Sequence, residues 1–362
     1  MSTFGQAIPV SFFGESHGPF IGLTIHGLAA GILVDEARIQ QELTKRRPKS
    51  DLSTPRQEKD PYQIISGVFH GKTTGAPLTI VIPNQDTKSK DYDPNLLRPS
   101  HADYAASVKF HGFQDYRGGG HFSGRLTALI SVLGAISLSI LEAKGIHVVS
   151  HIKQIEQVED DSFVSMTLSD KQVRELIQDD FPVINSMKKA AMEEAIRQAK
   201  SDQDSVGGVV ETAVLNMPVG IGEPFFDSVE SVLAHLLYSV PAVKGVSFGS
   251  GFEITTMRGS MANDALMKEG DVIKTKTNHS GGIQGGLTNG MPVVLQVAIK
   301  PTSSIGKPQQ SVNLTTKEEQ TIHIEGRHDP AIVNRAVHVV NAMTAYGILE
   351  IITKQEGQAW MR

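Results

Sequence analysis

The sequence of 362 residues contains no cysteine. This absence excludes disulfide bonds, thiolate nucleophiles, iron–sulfur clusters and cysteine-ligated zinc, and it is typical of proteins from a reducing compartment. The first residues, MSTFGQAIPVSFFGESHG, also lack a basic stretch followed by a long apolar run, so they do not predict a signal peptide. We therefore expect a cytoplasmic protein.

The chain has neither an excess of positive charge nor a long uninterrupted apolar segment. Its formal net charge is −5 at pH 7, which argues against a nucleic-acid-binding protein that relies on bulk electrostatic attraction. The longest uncharged stretch, from Leu126 to Leu141, is shorter than the ~20 residues that cross a membrane, and it contains Ser, Thr and Gly. The sequence thus predicts a buried core helix there, and neither a membrane span nor a nucleic-acid partner.

Two parts of the chain resemble each other. Residues up to about 150 and from about 204 onward share a plan of strand, glycine turn and amphipathic helix, seen from Ile21 and again from Val206, and each ends in a long apolar helix. Strands occur in pairs without regular βαβ alternation, which favours antiparallel sheets around a helical layer. We predict one α+β domain over 1–362 with two pseudo-symmetric halves, joined by a charged helical connector at 151–203.

Several polar residues are placed to begin helices. Ser169 is predicted to cap a helix of the connector, and Asp227 with Glu230 would form a capping box in the second half. Asp329 and Pro330 suit the N-cap and the first position of the final helix.

Two histidines lie in motifs that suit proton transfer. His17, in GESHG, follows an apolar run and is flanked by glycines, although a turn with a solvated histidine would look the same. In RPSHADY, Ser100 could cap a short helix and hold His101 at its N-terminus, where the helix dipole favours the neutral imidazole. A capping motif with an incidental histidine is the alternative.

Other motifs indicate anion binding. The cations of LTKRRPKS either complement a helix C-terminus or clamp a phosphate or carboxylate, and KPTSSI offers a lysine with three hydroxyls. In GRHDP, Asp329 could act as a base beside Arg327. The glycines of RGGGHFSGR require a close backbone approach or positive φ angles, but the stretch matches neither a dinucleotide fingerprint nor a P-loop. These residues include no activated nucleophile and no metal cluster.

Taken in order, FGESHG, RRP, SGVFHGKTTGAPL, RPSHADY, DYRGGG, KPTSSI and GRHDP resemble the chorismate synthase family over nearly the whole chain. The resemblance implies a 1,4-elimination in the shikimate pathway, in which 5-enolpyruvylshikimate 3-phosphate loses phosphate and a ring proton to give chorismate. It also implies reduced FMN as cofactor, a β-α-β sandwich fold and a homotetramer.

The resemblance assigns catalytic roles position by position. It implies that His17 and His101 manage protons on flavin and substrate, and that Ser16 and Ser123 assist through hydrogen bonds. Asp329 matches the aspartate that helps to remove the substrate proton.

The resemblance also assigns binding roles. Arg46, Arg125 and Arg327 would hold substrate or cofactor anions, and Arg46 is also the NADP position. The implied FMN-binding positions are His121, Phe122, Ser123, Ala242, Gly285, Lys300, Pro301, Thr302, Ser303, Ser304 and Arg327. Many members read Arg-Ser-Ser-Ala where this chain has His-Phe-Ser-Gly after the triple glycine, and Leu52 replaces an arginine that often follows the RRP motif.

Two other functions stay open at this point. One is a reduced-flavin oxidoreductase acting on another anionic substrate, and the other is an anion- or RNA-binding protein that keeps the fold without the chemistry. The joint presence of His17, His101 and Asp329 favours an enzyme. The reducing equivalents come either from NADPH, which the protein itself would oxidise, or from an external supply. The length of the chain favours the external supply.

Overall fold

The computed structural model describes residues 2–48, 52, 59–85, 92–324 and 329–362. Its strands are β1 (Thr3–Phe4), β2 (Val10–Gly14), β3 (Phe20–Ile25), β4 (Gln63–Ser66), β5 (Val68–Phe69), β6 (Lys72–Thr73), β7 (Leu78–Pro83), β8 (His147–Ile155), β9 (Val158–Glu159), β10 (Gly208–Leu215), β11 (Val243–Phe248), β12 (Leu266–Glu269), β13 (Val272–Thr275), β14 (Ile283–Gln284), β15 (Leu287–Thr288), β16 (Val293–Ile299), β17 (Gln309–Val312) and β18 (Glu319–Ile322). Its helices are α1 (Glu36–Lys45), α2 (Asp103–Lys109), α3 (Thr127–Ala143), α4 (Asp170–Gln178), α5 (Ser186–Ser201), α6 (Val229–Tyr238), α7 (Gly259–Ala262) and α8 (Val333–Glu356).

The strands form two five-stranded antiparallel sheets. The first has the order β1-β2-β3-β7-β4, and the second has the order β11-β16-β10-β8-β9. In β7, Leu78, Ile80 and Ile82 are fully buried and alternate with half-buried residues, because successive side chains of a strand point to opposite faces. The inner faces of both sheets therefore contribute to one apolar core.

A layer of helices lies between the sheets. α3 contacts β3 of the first sheet and β8 of the second, while α8 packs against α3, α6 and the second sheet. A Cβ at Gly134 of α3 would lie 2.6 Å from Ala342 Cα of α8, so only glycine permits this close approach of the two helices. The antiparallel sheets and their central helices confirm the predicted α+β fold.

The two longest helices of the described residues are apolar enough to raise the question of a membrane span. They cover Gly124–Ala143 and Val333–Glu356, and 72% and 83% of their most apolar windows are buried inside the protein. Helices in the core of a folded domain have this composition, which agrees with the prediction of a core helix from Leu126.

Both sheets have the same connectivity. In the first, β2, β3, β7 and β4 are neighbours in that order, and α1 lies between β3 and β4 in the chain. In the second, β8, β10, β16 and β11 are neighbours in the same arrangement, and α6 lies between β10 and β11. Each set is followed by a long core helix, α3 or α8. β8 crosses the position predicted as the start of the connector, so residues 151–155 belong to the second sheet.

The buried side chain of His151 joins the rest of the connector to the second sheet through hydrogen bonds. His151 Nδ1 lies 3.2 Å from Asp160 Oδ2, and His151 Nε2 lies 2.9 Å from Glu211 Oε2. Burial alone would lower the pKa of His151, but the hydrogen bonds with the two carboxylates outweigh it, so the pKa is raised. Asp160 also accepts hydrogen bonds from the backbone amides of Ile184 and Asn185, the last two residues before α5.

The helix caps differ in part from those predicted. Ser169 caps α4 in a full capping box, as predicted. Asp227 does not cap α6, because Ser228 accepts the hydrogen bond from Ser231 N, and Asp227 instead pairs with Lys354. The side chain of Ala102 makes no capping hydrogen bond at α2, where Ser100 had been predicted as the cap.

Asp329 was also predicted wrongly as a helix cap. α8 begins at Val333, after Ile332, so Pro330 is not its first helical residue. Asp329 forms an ion pair with Arg335 and takes no part in beginning α8.

Candidate functional site

One cavity of about 2000 Å³ brings together residues from both halves of the chain. Most of the residues predicted for the site line it, namely His17, His101, His121, Phe122, Ser123, Ala242, Lys300, Pro301, Thr302, Ser303, Ser304 and Asp329. Arg327 lies outside the described residues. Within the described part of the chain, no three His, Asp or Glu side chains are placed to hold a metal ion.

The triple glycine forms one wall of the cavity. Gly118, Gly119 and Gly120 have φ angles of +60°, +81° and +54°, a region that other residues rarely adopt. A Cβ at Gly118 would lie 2.5 Å from His17 Cδ2. The two reasons predicted for these glycines, positive φ and close approach, are both confirmed: Gly118 lies against the His17 ring, and a Cβ at Gly120 would clash with Asp115 O.

His17 is held between this wall and an aromatic ring. Tyr92 meets the imidazole edge-on, with ring centroids 5.3 Å apart. The neighbouring Ser16 is fully buried, and its amide donates to Gly120 O at 3.0 Å. Within the described residues, Ser16 Oγ has no hydrogen-bond partner. A buried hydroxyl without a partner is costly. Ser16 itself does not line the cavity, so its catalytic role stays a prediction.

His101 is positioned by residues of both halves. His101 Nδ1 lies 3.0 Å from Pro99 O, and His101 Nε2 lies 3.1 Å from Ser304 Oγ. Burial and then the Arg98 guanidinium lower the pKa of His101, while Pro99 O and Asp103 oppose them. The prediction of a neutral imidazole thus agrees with the structure, although burial has replaced the helix dipole as the main cause.

The loop after β16 supports His101 from the second half. Lys300 Nζ donates to Ser100 O at 3.0 Å and to Ser303 Oγ at 2.7 Å. Its backbone amide donates to Ala242 O at 3.0 Å, and Ala242 has an unusual φ of +74°. Burial, and then Lys244, lower the pKa of Lys300. Two lysines therefore stand near each other on the cavity wall.

Two of the predicted anion-binding arginines are buried behind that wall. Asp60 Oδ2 accepts from Arg46 Nη2 at 3.1 Å, and Asp60 Oδ1 pairs with Arg125 Nη1. Arg46 Nη1 also donates to Thr127 Oγ1 at 3.3 Å, and Thr127 lines the cavity. Burial lowers the pKa of Arg46 to about 10, so its guanidinium stays charged at neutral pH. Burial alone would raise the pKa of Asp60, but Arg46 and then Arg125 reverse this and lower it.

A third arginine joins this group to Asp329. Arg335 Nη1 lies 2.8 Å from Asp329 Oδ2, and Arg335 Nε donates to Arg46 O at 3.0 Å. Sequence reasoning missed both Arg335 and Asp60. Arg335 lies in an apolar helix and Asp60 follows a charged stretch of the sequence, and neither forms a recognisable motif with its sequence neighbours.

The remaining predicted residues fall into two groups. His121 and Phe122 stack with ring centroids 4.3 Å apart, and Phe110 meets His121 edge-on at 5.3 Å, so this side of the cavity is aromatic. Gly285 lies in the turn between β14 and β15 and does not line the cavity. Its cofactor role stays a prediction.

Comparisons with known proteins agree over almost the full length. A family model described as chorismate synthase matches residues 8–353. The chorismate synthase of Korarchaeum cryptofilum (strain OPF8) is 43% identical over 356 residues, which cover 97% of each chain. The chorismate synthase of Thermococcus kodakarensis is 41% identical over 360 residues, which cover 98% of each chain. A solved structure described as a crystal structure of chorismate synthase has a TM-score of 0.76 at 26% identity, covering 98% of this chain and 94% of the other.

Proposed function

The chain belongs to the chorismate synthase family of shikimate-pathway lyases, and we propose that it converts 5-enolpyruvylshikimate 3-phosphate into chorismate with the help of reduced FMN. The observation that carries this proposal is the convergence of His17, His101 and Asp329, from three distant parts of the chain, on one cavity. Two groups that exchange protons and one carboxylate suit the loss of phosphate and a ring proton.

The residues of the cavity fit a flavin mononucleotide. The aromatic side formed by Phe110, His121 and Phe122 offers apolar contact area for a planar ring system. Lys300, together with the hydroxyls of Thr302 and Ser303, offers donors for an anionic tail. When bound, reduced FMN supplies transient electron donation that weakens the carbon–oxygen bond to phosphate.

The buried arginines favour an anionic substrate. Arg46, Arg125 and Arg335 outnumber Asp60 and Asp329, which leaves an excess of positive charge behind the cavity wall. Since Arg46 and Arg125 are largely shielded from water, their charge acts more strongly on a ligand than an exposed charge would. We propose that it attracts the phosphate and carboxylates of the substrate.

The histidines and the aspartate would divide the proton transfers. His101, neutral near pH 7 because its pKa is lowered, has a lone pair on Nε2 with which to take up or return a proton. His17 is fixed against Gly118 and Tyr92, which orients its ring in the cavity. Asp329, held by Arg335, would assist removal of the ring proton.

We propose an external source of reduced flavin in place of NADPH oxidation by the protein. Arg46, the residue that the resemblance offers for NADP, is buried and bound to Asp60 and Thr127. A nucleotide would reach this guanidinium only after that ion pair opened. Leu52, at the other family position, is buried and carries no charge.

The test is an anaerobic assay of phosphate release from 5-enolpyruvylshikimate 3-phosphate. We expect release with photoreduced FMN, and none with oxidised FMN or without flavin. Equal rates in all three would refute the proposed function. Consumption of NADPH matched one-to-one by substrate reduction would instead identify a flavin oxidoreductase.

We also propose that the protein assembles as a homotetramer in the cytoplasm. Exposed aromatic side chains in the second half support association, since Phe225, Phe226 and Phe252 are 85%, 92% and 87% exposed. Light scattering after size-exclusion chromatography measures the mass directly. A monomeric mass at micromolar concentration would reject this assembly.

A further inference from the structure

The hydrogen bonds of His101 determine which ring nitrogen can exchange a proton. Pro99 O is a carbonyl oxygen and can only accept, so His101 Nδ1 must carry a hydrogen to bond with it at 3.0 Å. In the neutral ring, Nε2 then has the free lone pair. His101 Nε2 is therefore the nitrogen at which a proton is gained or lost.

Ser304 stands at that nitrogen. Its Oγ lies 3.1 Å from His101 Nε2, and both residues line the cavity. A serine hydroxyl can donate one hydrogen bond and accept others, so Ser304 can donate to the neutral ring and accept from the charged one. Ser304 belongs to a loop that is about 200 residues from His101 in the sequence. The position of Ser304 is therefore determined independently of the turn that holds His101.

The neighbouring hydroxyls are used differently. Ser303 Oγ accepts from Lys300 Nζ at 2.7 Å. Thr302 Oγ1 is buried and has no hydrogen-bond partner within the described residues. Of the three hydroxyls in KPTSSI, Ser304 is thus the one that the structure places on His101.

The charged groups around His101 keep its ring neutral in the resting protein. Arg98 and Lys300 disfavour the imidazolium, in addition to burial. Asp103 favours it, but this carboxylate is already bound by Arg98, with Oδ1 2.8 Å from Nη2 and Oδ2 2.9 Å from Nε. The Ser304 hydroxyl therefore points its hydrogen at Nε2 near neutral pH.

We propose that Ser304 relays protons between His101 and the ligands in the cavity, an inference that rests on the proposed function. A proton leaving a ligand forms a bond to Ser304 Oγ while the original hydroxyl proton passes to His101 Nε2. The reverse transfer returns the proton and restores both groups. Ser304 ends each cycle unchanged, so no further reactant is needed.

The first test needs no catalysis. Protein with ¹⁵N-labelled histidine rings reports which nitrogen carries hydrogen, and His101→Gln assigns the signal. Without flavin, we expect His101 to carry its hydrogen on Nδ1, and Ser304→Ala to shift the Nε2 resonance. Ser250→Ala is the matched control, because Ser250 Oγ lies 2.9 Å from His279 Nδ1 in a pair that does not line the cavity. A His101 ring with its hydrogen on Nε2 would overturn the proposal.

The second test separates proton exchange from cofactor binding. We expect Ser304→Ala to lower kcat for phosphate release by at least about tenfold, toward the ~100-fold that general acid–base catalysis commonly contributes. The dissociation constant for FMN should stay near that of the wild type, and Ser304→Thr, which keeps a hydroxyl, should retain most of the activity. An unchanged kcat in Ser304→Ala overturns the inference, even if FMN binds more weakly. A wild-type protein that releases no phosphate rejects the proposed function, while the ring signals still test the contact.

Discussion

The replacement Asp60→Asn tests whether one buried carboxylate holds the arginine group together. Asp60 is 1% exposed and pairs with Arg46 and Arg125, which are each 6% exposed. An amide keeps the size of the side chain but removes its negative charge. The two buried guanidinium groups would then repel each other in a region that water screens little, and the partly exposed Arg335 adds to this repulsion.

The expected cost is large for a single substitution. Removing one partner from a buried ion pair destabilises proteins by about 3–5 kcal/mol, because the other charge is left without compensation. The matched control is Asp227→Asn, which breaks an ion pair with Lys354. The side chains of Asp227 and Lys354 are 47% and 38% exposed. Exposed pairs of this kind contribute about 0–1 kcal/mol.

Urea unfolding at pH 7 measures both effects. We expect Asp60→Asn to lower the free energy of unfolding several times more than Asp227→Asn does. The pKa of Asp60 is lowered in the folded protein, so its stabilising effect is present above the unfolded pKa and disappears as the pH falls through the folded pKa. The difference between wild type and Asp60→Asn should therefore shrink in acid. Equal, small effects of both substitutions at pH 7 would refute the reasoning.

Two further predictions concern the cavity wall and the connector. Gly118→Ala should abolish most of the activity, because its Cβ would displace the His17 ring. Gly112→Ala is the control for backbone strain alone, because Gly112 has a φ of +78° and open space around it. Equal activity of the two variants would contradict the clash. His151→Gln should destabilise the protein most at low pH: the pKa of His151 is raised, so its contribution is complete below the unfolded pKa and is lost as the pH rises through the folded pKa. Unfolding curves at several pH values check this, and a difference that grows with pH would contradict it.

The proposed function explains why an acidic chain contains a basic site. The formal net charge is −5, yet Arg46, Arg125 and Arg335 are gathered behind one cavity. A ligand that carries phosphate and carboxylate groups needs local positive charge, and the charge of the whole chain does not control that local field.

Local sequence determined several features correctly. The glycines of RGGGHFSGR correctly predicted positive φ angles, because the absence of a Cβ acts on the backbone of the residue itself. That Gly118 lies against His17 was decided by the tertiary structure. Ser169 was also predicted correctly as the cap of α4, since a capping box spans only one helical turn and depends on neighbouring residues. The predicted cap was wrong where two candidate residues are adjacent. Ser228 caps α6 in place of Asp227, and Asp227 forms an ion pair with Lys354.

By itself, the sequence thus determined the family, through motifs in a fixed order, and most of the residues that it predicted for the site do line the cavity. Only the tertiary structure decided the partners of those residues. Asp60 joins Arg46 to Arg125, and Ser304 meets His101 across about 200 residues, because the packing of two sheets on one helical layer brings distant segments together. Such pairings depend on the packing of the whole chain, and no local pattern of residue types encodes them.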